Sequence, residues 1–85
     1  MPELSRFYGI VIYMYYFDHN PPHFHARYGE REGVISIQTL SVIVGNLPHR
    51  ALGMVIEWAS LHGEELETQW KKATRGEPLD KIDPL

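Results

Sequence analysis

The stretch Asp18-His19-Asn20-Pro21-Pro22-His23-Phe24-His25 decides how this chain folds, because it stops one strand and starts the next. Each proline fixes its own φ, removes an N–H and pushes its predecessor toward extended geometry, so Asn20-Pro21-Pro22 forces a sharp, non-helical corner. Beyond the corner the chain leaves as a strand in which His23 and His25 project from one face and Phe24 from the other. Asp18 and His19 return from the far side of the corner, within reach of the two strand imidazoles. Three of the five histidines fall in this stretch.

Upstream, residues 7–17 are almost all apolar or aromatic and rich in β-formers, which predicts one long strand closed by the corner. Ile10, Ile12 and Met14 would share one face, and Val11, Tyr13 and Tyr15 the other, wetter one. Residues 23–28 form the second strand, with Phe24, Ala26 and Tyr28 on one face and His23, His25 and Arg27 on the other. The alternation puts the histidines off the core. Residues 29–33 read as a polar turn, and 34–38 and 41–44 as two more short strands of an antiparallel meander.

Gly45-Asn46-Leu47-Pro48 is a helix-start signal, with Asn46 able to cap and Pro48 in the first turn. Leu52, Val55, Ile56, Ala59, Gly63, Leu66, Trp70 and Ala73 then recur at three- and four-residue steps, which predicts one long helix, bent at Gly63 if anywhere and ending at Gly76. The expected fold is therefore α+β: a small, mainly antiparallel sheet of about four strands with one long C-terminal helix packed across it. Phe24, Ala26, Leu52, Ile56, Ala59 and Leu66 would share the core. Met54, Trp58 and Leu61 fall on a second helical face and are the candidates for binding a partner or a second copy. The plainer reading of Trp58 is cover by the sheet edge or by the tail, residues 78–85, whose apolar spacing suits a docked extended segment.

With 85 residues the whole chain reads as one small domain, in the size range where a partner often completes the burial. Hydrophobic content of 44% and charged content of 22% are those of a globular protein. A net charge of −3 supplies no broad attraction for phosphate backbones, so nucleic acid enters only indirectly or through a local patch. The absence of cysteine excludes disulfides and thiolate metal sites and fits a cytoplasmic protein. No secretory signal or membrane-length apolar run is read in the sequence.

Several of these stretches occur together in a known family. Phe7-Tyr8-Gly9-Ile10, the Asp18 to His25 core, Leu47-Pro48-x-Arg50-Ala51-Leu52, Glu57-Trp58-Ala59 and Pro78-Leu79 resemble the bacterial family called domain of unknown function 4160, over almost the whole chain. The resemblance implies small single-domain proteins without an established activity. It also implies genes that often lie beside another small protein's gene, in an arrangement like a toxin–antitoxin pair, so a protein partner encoded next door is expected. Gly63, where a polar residue would favour helix more, departs from the pattern without touching the histidines.

Three chemistries fit the histidine stretch. His-x-His on a strand can aim two imidazoles at one ion, with Asp18 and His19 completing a site for zinc or another divalent transition metal. An open coordination position would make such a site catalytic, as in a small hydrolase. Glu30 beyond the His-x-His resembles the first metal motif of cupins, but the chain is too short for a cupin barrel. Alternatively, His23 and His25 could act as metal-free acid and base on RNA, with Arg27 holding a phosphate and the Tyr13 or Tyr15 hydroxyl bonding it. A purely structural reading has Asp18 and Asn20 making side-chain turns while the imidazoles bond the corner and stack on Tyr13 and Tyr15. His49 and His62 read as surface or helix-terminal residues, and Glu57, Glu64, Glu65 and Glu67 as a solvated face.

Overall fold

A computed structural model describes residues 2–85. The order is β1 (Glu3–Phe7), β2 (Ile10–Tyr13), β3 (His23–Tyr28), β4 (Arg31–Ser36), β5 (Val42–Gly45), α1 (His49–Leu61) and α2 (Gly63–Thr74). The strands form one antiparallel meander in sequence order. The α+β class and the meander are as expected, but the described residues form five strands and two helices rather than about four and one.

The extra strand comes from a turn hidden inside the apolar run. Tyr8 and Gly9 both have positive φ, 48° and 81°, as a two-residue hairpin turn of the kind matched to strand twist requires. Phe7 thus ends β1 and Ile10 opens β2, and residues 14–17 leave the sheet. The helix divides at His62, whose φ of −125° and ψ of 29° close α1 and open α2. Gly63 follows at once, and glycine's weak helix propensity favours the break there. The His62 ring also bonds Glu65 at 2.6 Å, which fixes the first turn of α2.

Register sets the two faces of the sheet. Ile12 pairs with Ala26 and Ile35 with Phe24, and all four are fully buried against the helices. The helical contribution is Ala51, Val55, Trp58 and Ala59 from α1 and Leu66, Trp70 and Ala73 from α2. Leu52 and Ile56, expected in the centre, lie at its margin. Small Ala51 and Ala59 at the buried positions let α1 approach the sheet, and the bulkier pair flank the contact.

Trp58, expected on an outward face with Met54 and Leu61, is buried inside the chain. Its ring lies 5.5 Å from Phe7 and 6.0 Å from Phe24, and its indole N–H donates to the Asp83 carbonyl at 2.8 Å. The tail that covers it is extended: the Ile82 N–H donates to the Leu4 carbonyl at 2.8 Å, and the Ile82 side chain is buried. Met54 is partly buried, and Leu61 remains 68% exposed. No helix among the described residues is long and apolar enough to cross a membrane.

Candidate functional site

The other face of the sheet carries Val11, Tyr13, His25, Arg27 and Val34, with Val11 paired to Arg27, Tyr13 to His25, and His25 in turn to Val34. Between β2 and β3 the chain makes a long irregular excursion that ends in the proline corner, where the Asn20–Pro21 peptide is cis. Beyond the Met14 N–H bond to the Pro2 carbonyl at its start, two backbone bonds hold the excursion. The Phe17 N–H donates to the Ala73 carbonyl at the end of α2, and the Ile37 N–H to the Pro22 carbonyl. Phe17 itself has φ of 56°, and its ring lies against Gly76, where any Cβ would meet it at 2.5 Å. Asp18 is therefore delivered to the histidines by a loop anchored on a helix end.

Asp18 Oδ2 lies 2.8 Å from His23 Nε2 and 3.5 Å from His25 Nε2. One potential ligand atom from each of the three residues falls within 4.8 Å of the others. For comparison, ligand atoms at ~2.0–2.1 Å from a tetrahedral zinc are roughly 3.3 Å apart, so only a small closure separates this arrangement from a coordination shell. All three side chains are largely buried, at 10% exposure for His23, 12% for His25 and 23% for Asp18.

The hydrogen bonds orient the groups for such a role. His23 Nδ1 lies 2.7 Å from the Pro21 carbonyl, which can only accept, so Nδ1 carries a proton and the ring is fixed. Nε2 then faces the Asp18 carboxylate at 2.8 Å, and two acceptors at that separation need a proton or a metal ion between them. An imidazole N–H tied to a backbone carbonyl is also the usual support behind a ligating histidine. The His19 N–H donates to Asp18 Oδ1 at 2.8 Å and orients the other carboxylate oxygen.

His25 differs. Its ring stacks on Tyr13 at 5.1 Å and meets Tyr15 edge-on at 4.8 Å, yet neither ring nitrogen has a hydrogen-bond partner. The 3.5 Å approach to Asp18 is close enough for charge attraction but too long or misaligned for a hydrogen bond. Burial, aided by His23, holds the His25 pKa below the usual histidine value despite the opposing pull of Asp18. Burial of Asp18 acts to raise its pKa, but the bonds from the His19 N–H and His23, with His23's charge and His25, outweigh it and the net shift is downward.

Of the residues singled out in the sequence, Asp18, His23 and His25 come together and His19 does not. The His19 side chain is exposed, and only its backbone N–H serves the site. A single loop residue has no periodicity from which to tell which way it points. Arg27 lies on the same face, with its guanidinium 5.9 Å from the centre of the Tyr13 ring. His49, His62 and Glu30 take no part in the cluster. The expected bond from an imidazole to the corner is made by His23 to the Pro21 carbonyl, whereas sequence reasoning missed Trp70, whose ring packs 5.0 Å from His23. Nothing local joins Trp70 to a strand so far away in the chain.

Neither a search of curated proteins nor a search of solved structures gives a match to this chain. A family model does match, over residues 9–71, and it carries the description "Domain of unknown function (DUF4160)". That span contains the hairpin glycine, the whole Asp18 to His25 stretch and most of both helices, so the chain belongs to the DUF4160 family.

Proposed function

We propose that Asp18, His23 and His25 form a mononuclear site for a divalent transition metal, with zinc the leading ion. His25 carries this reading: a largely buried imidazole with both nitrogens unpartnered, beside a carboxylate already oriented by a neighbour. A structural corner accounts for His23, whose two nitrogens are both occupied. It does not account for His25, because an unsatisfied buried polar group costs about 1–3 kcal/mol and a metal bond would remove that cost. Two imidazoles and one carboxylate suit zinc or a harder first-row ion and leave positions for water or substrate. When bound, the metal would supply an acidified water, the chemistry of a small hydrolase. This chain's own residues would orient the carboxylate through the His19 N–H and fix the His23 ring through Pro21.

Zinc titration of the chelator-stripped protein tests the site. Tight one-to-one binding at about pH 7.5 should weaken at about pH 5.5, because only neutral imidazole ligates. Asp18→Asn, His23→Ala and His25→Ala should each remove most of it, whereas His19→Ala, His49→Ala and His62→Ala should not. Equal binding by all six variants would refute the assignment.

A second reading, a protein-binding role in a toxin–antitoxin-like pair in the cytoplasm, keeps one observation in its favour. Leu61 projects from the end of α1 largely exposed, two helical turns from the partly buried Met54. The reading expects the product of the adjacent gene to co-purify and Leu61→Glu to weaken the complex. Independent migration of the two proteins would reject it.

A further inference from the structure

Arg27 stands two residues beyond His25 on the same face of β3, about 7 Å along the strand. Its guanidinium lies over the Tyr13 ring at 5.9 Å, and that ring also stacks on His25. A cation–π contact, not a carboxylate, is thus what holds Arg27 beside the cluster. Glu32 is its cross-strand neighbour, yet among the described residues no acidic oxygen lies within ion-pair distance of Arg27. The Tyr13 hydroxyl is buried without a hydrogen-bond partner as well. The histidine cluster is therefore flanked by a free cation and an unused donor.

Charge decides what such a place would take. A divalent ion with the Asp18 carboxylate and two neutral imidazoles retains one positive charge, and Arg27 adds a second, in a chain whose net charge is −3. A single dianionic group offsets that local excess, whereas a long polyanion would meet the acidic remainder of the surface. We propose that the metal of Asp18, His23 and His25 and the guanidinium of Arg27 together bind one phosphoryl group, with one oxygen on the metal and another on Arg27. A phosphoryl group reaching ~2.1 Å to a metal and ~2.9 Å to a guanidinium covers a separation comparable with the backbone spacing of His25 and Arg27 along the strand. The guanidinium suits that second oxygen as a charge-assisted donor. This inference rests on the metal reading above and deepens it by naming the ligand class.

Cobalt(II), which takes zinc's place and reports its ligands by visible absorption, separates the two claims. In the cobalt-loaded protein, inorganic phosphate should change the spectrum at concentrations where acetate does not. Arg27→Gln should leave cobalt affinity unchanged and weaken phosphate about tenfold or more, the loss expected for one charge-assisted bond, and Arg27→Lys should recover part of it. Unchanged cobalt binding in Arg27→Gln also shows that the variant is folded. A spectrum indifferent to phosphate, acetate matching phosphate, or Arg27→Gln binding phosphate like the parent would each overturn the inference while leaving the metal site standing. Failure of the parent to bind cobalt would overturn both.

Discussion

On one side of β3, Phe24 and Ala26 press into a core in which the Trp58 indole N–H finds a carbonyl in the tail. On the other side, His25, which stands between them in sequence, and its cross-strand partner Tyr13 are packed nearly as closely and leave polar atoms without partners. The helical side behaves mostly like an interior built to be stable, with apolar groups buried, the Trp58 N–H paired and, among the described residues, the Ser5 hydroxyl opposite Ile12 as its one unpartnered side-chain atom. The histidine side keeps aromatic packing but withholds hydrogen bonds that a merely structural interior would supply. Unpaired polar atoms between well-ordered neighbours mark where a fold expects something from outside.

The comparison is easiest to break on the helical side, where the largest effect is expected. Trp58→Ala should cost about 3–5 kcal/mol, because it empties the contact between Phe7, Phe24 and the tail and strands the Asp83 carbonyl. Urea melts measure this. A cost below about 1 kcal/mol would place the main core elsewhere.

Across the sheet, the two histidines should part company. Replacing His23 by Phe leaves the Asp18 carboxylate and the Pro21 carbonyl without their partner and should cost about 1–3 kcal/mol. His25→Phe keeps the stacking on Tyr13 and removes two unpartnered nitrogens, so in metal-free protein it should be within about 1 kcal/mol of the parent or more stable. Both variants should lose zinc. The opposite ranking of stabilities would mean that His25 is the structural residue and His23 the spare one.

A smaller effect follows from pH. The folded chain holds His25 below its ordinary value of 6.5, so the unfolded chain binds the proton first as pH falls. His25 therefore contributes stability above pH 6.5 that is lost on acidification from there down to its depressed folded pKa. Asp18, also depressed, adds a contribution present above its ordinary 3.8 and lost as pH falls further through its folded pKa. Urea midpoints of metal-free protein should thus decline in two stages on acidification, and His25→Phe should lack the upper one. An upper stage that survives in His25→Phe would assign it to another histidine.

Much of this was legible in the sequence because it is local. Two prolines and an alternating strand are enough to place His23 and His25 on one face opposite Phe24, and Asp18 five residues before His23 is close enough for the corner to return it. What escaped was either masked or distant. The Tyr8-Gly9 turn lies inside a run whose apolar residues continue on both sides, so hydrophobicity gave no break and β1 went unseen. The helical stripe is right at Val55, Ala59, Leu66, Trp70 and Ala73 and wrong at Leu52 and Ile56, which outweigh Ala51 in hydrophobicity although close helix–sheet approach favours the smaller side chain. For Trp58 the sequence left two readings open, a partner surface and cover by the tail, and the structure bears out the second, with the cover coming from Asp83, 25 residues on.

Nitrogen NMR of the histidine rings, recorded on metal-free protein and again with one equivalent of zinc, addresses the central claim most directly. The expected result is that Nε2 of His23 and Nε2 of His25 both move to metal-bound shifts, that His23 Nδ1 keeps its proton on the Pro21 carbonyl, and that His19, His49 and His62 stay where they were. Zinc that leaves His25 unmoved, or that shifts the exposed histidines to the same extent, would contradict the account and return the cluster to a structural role.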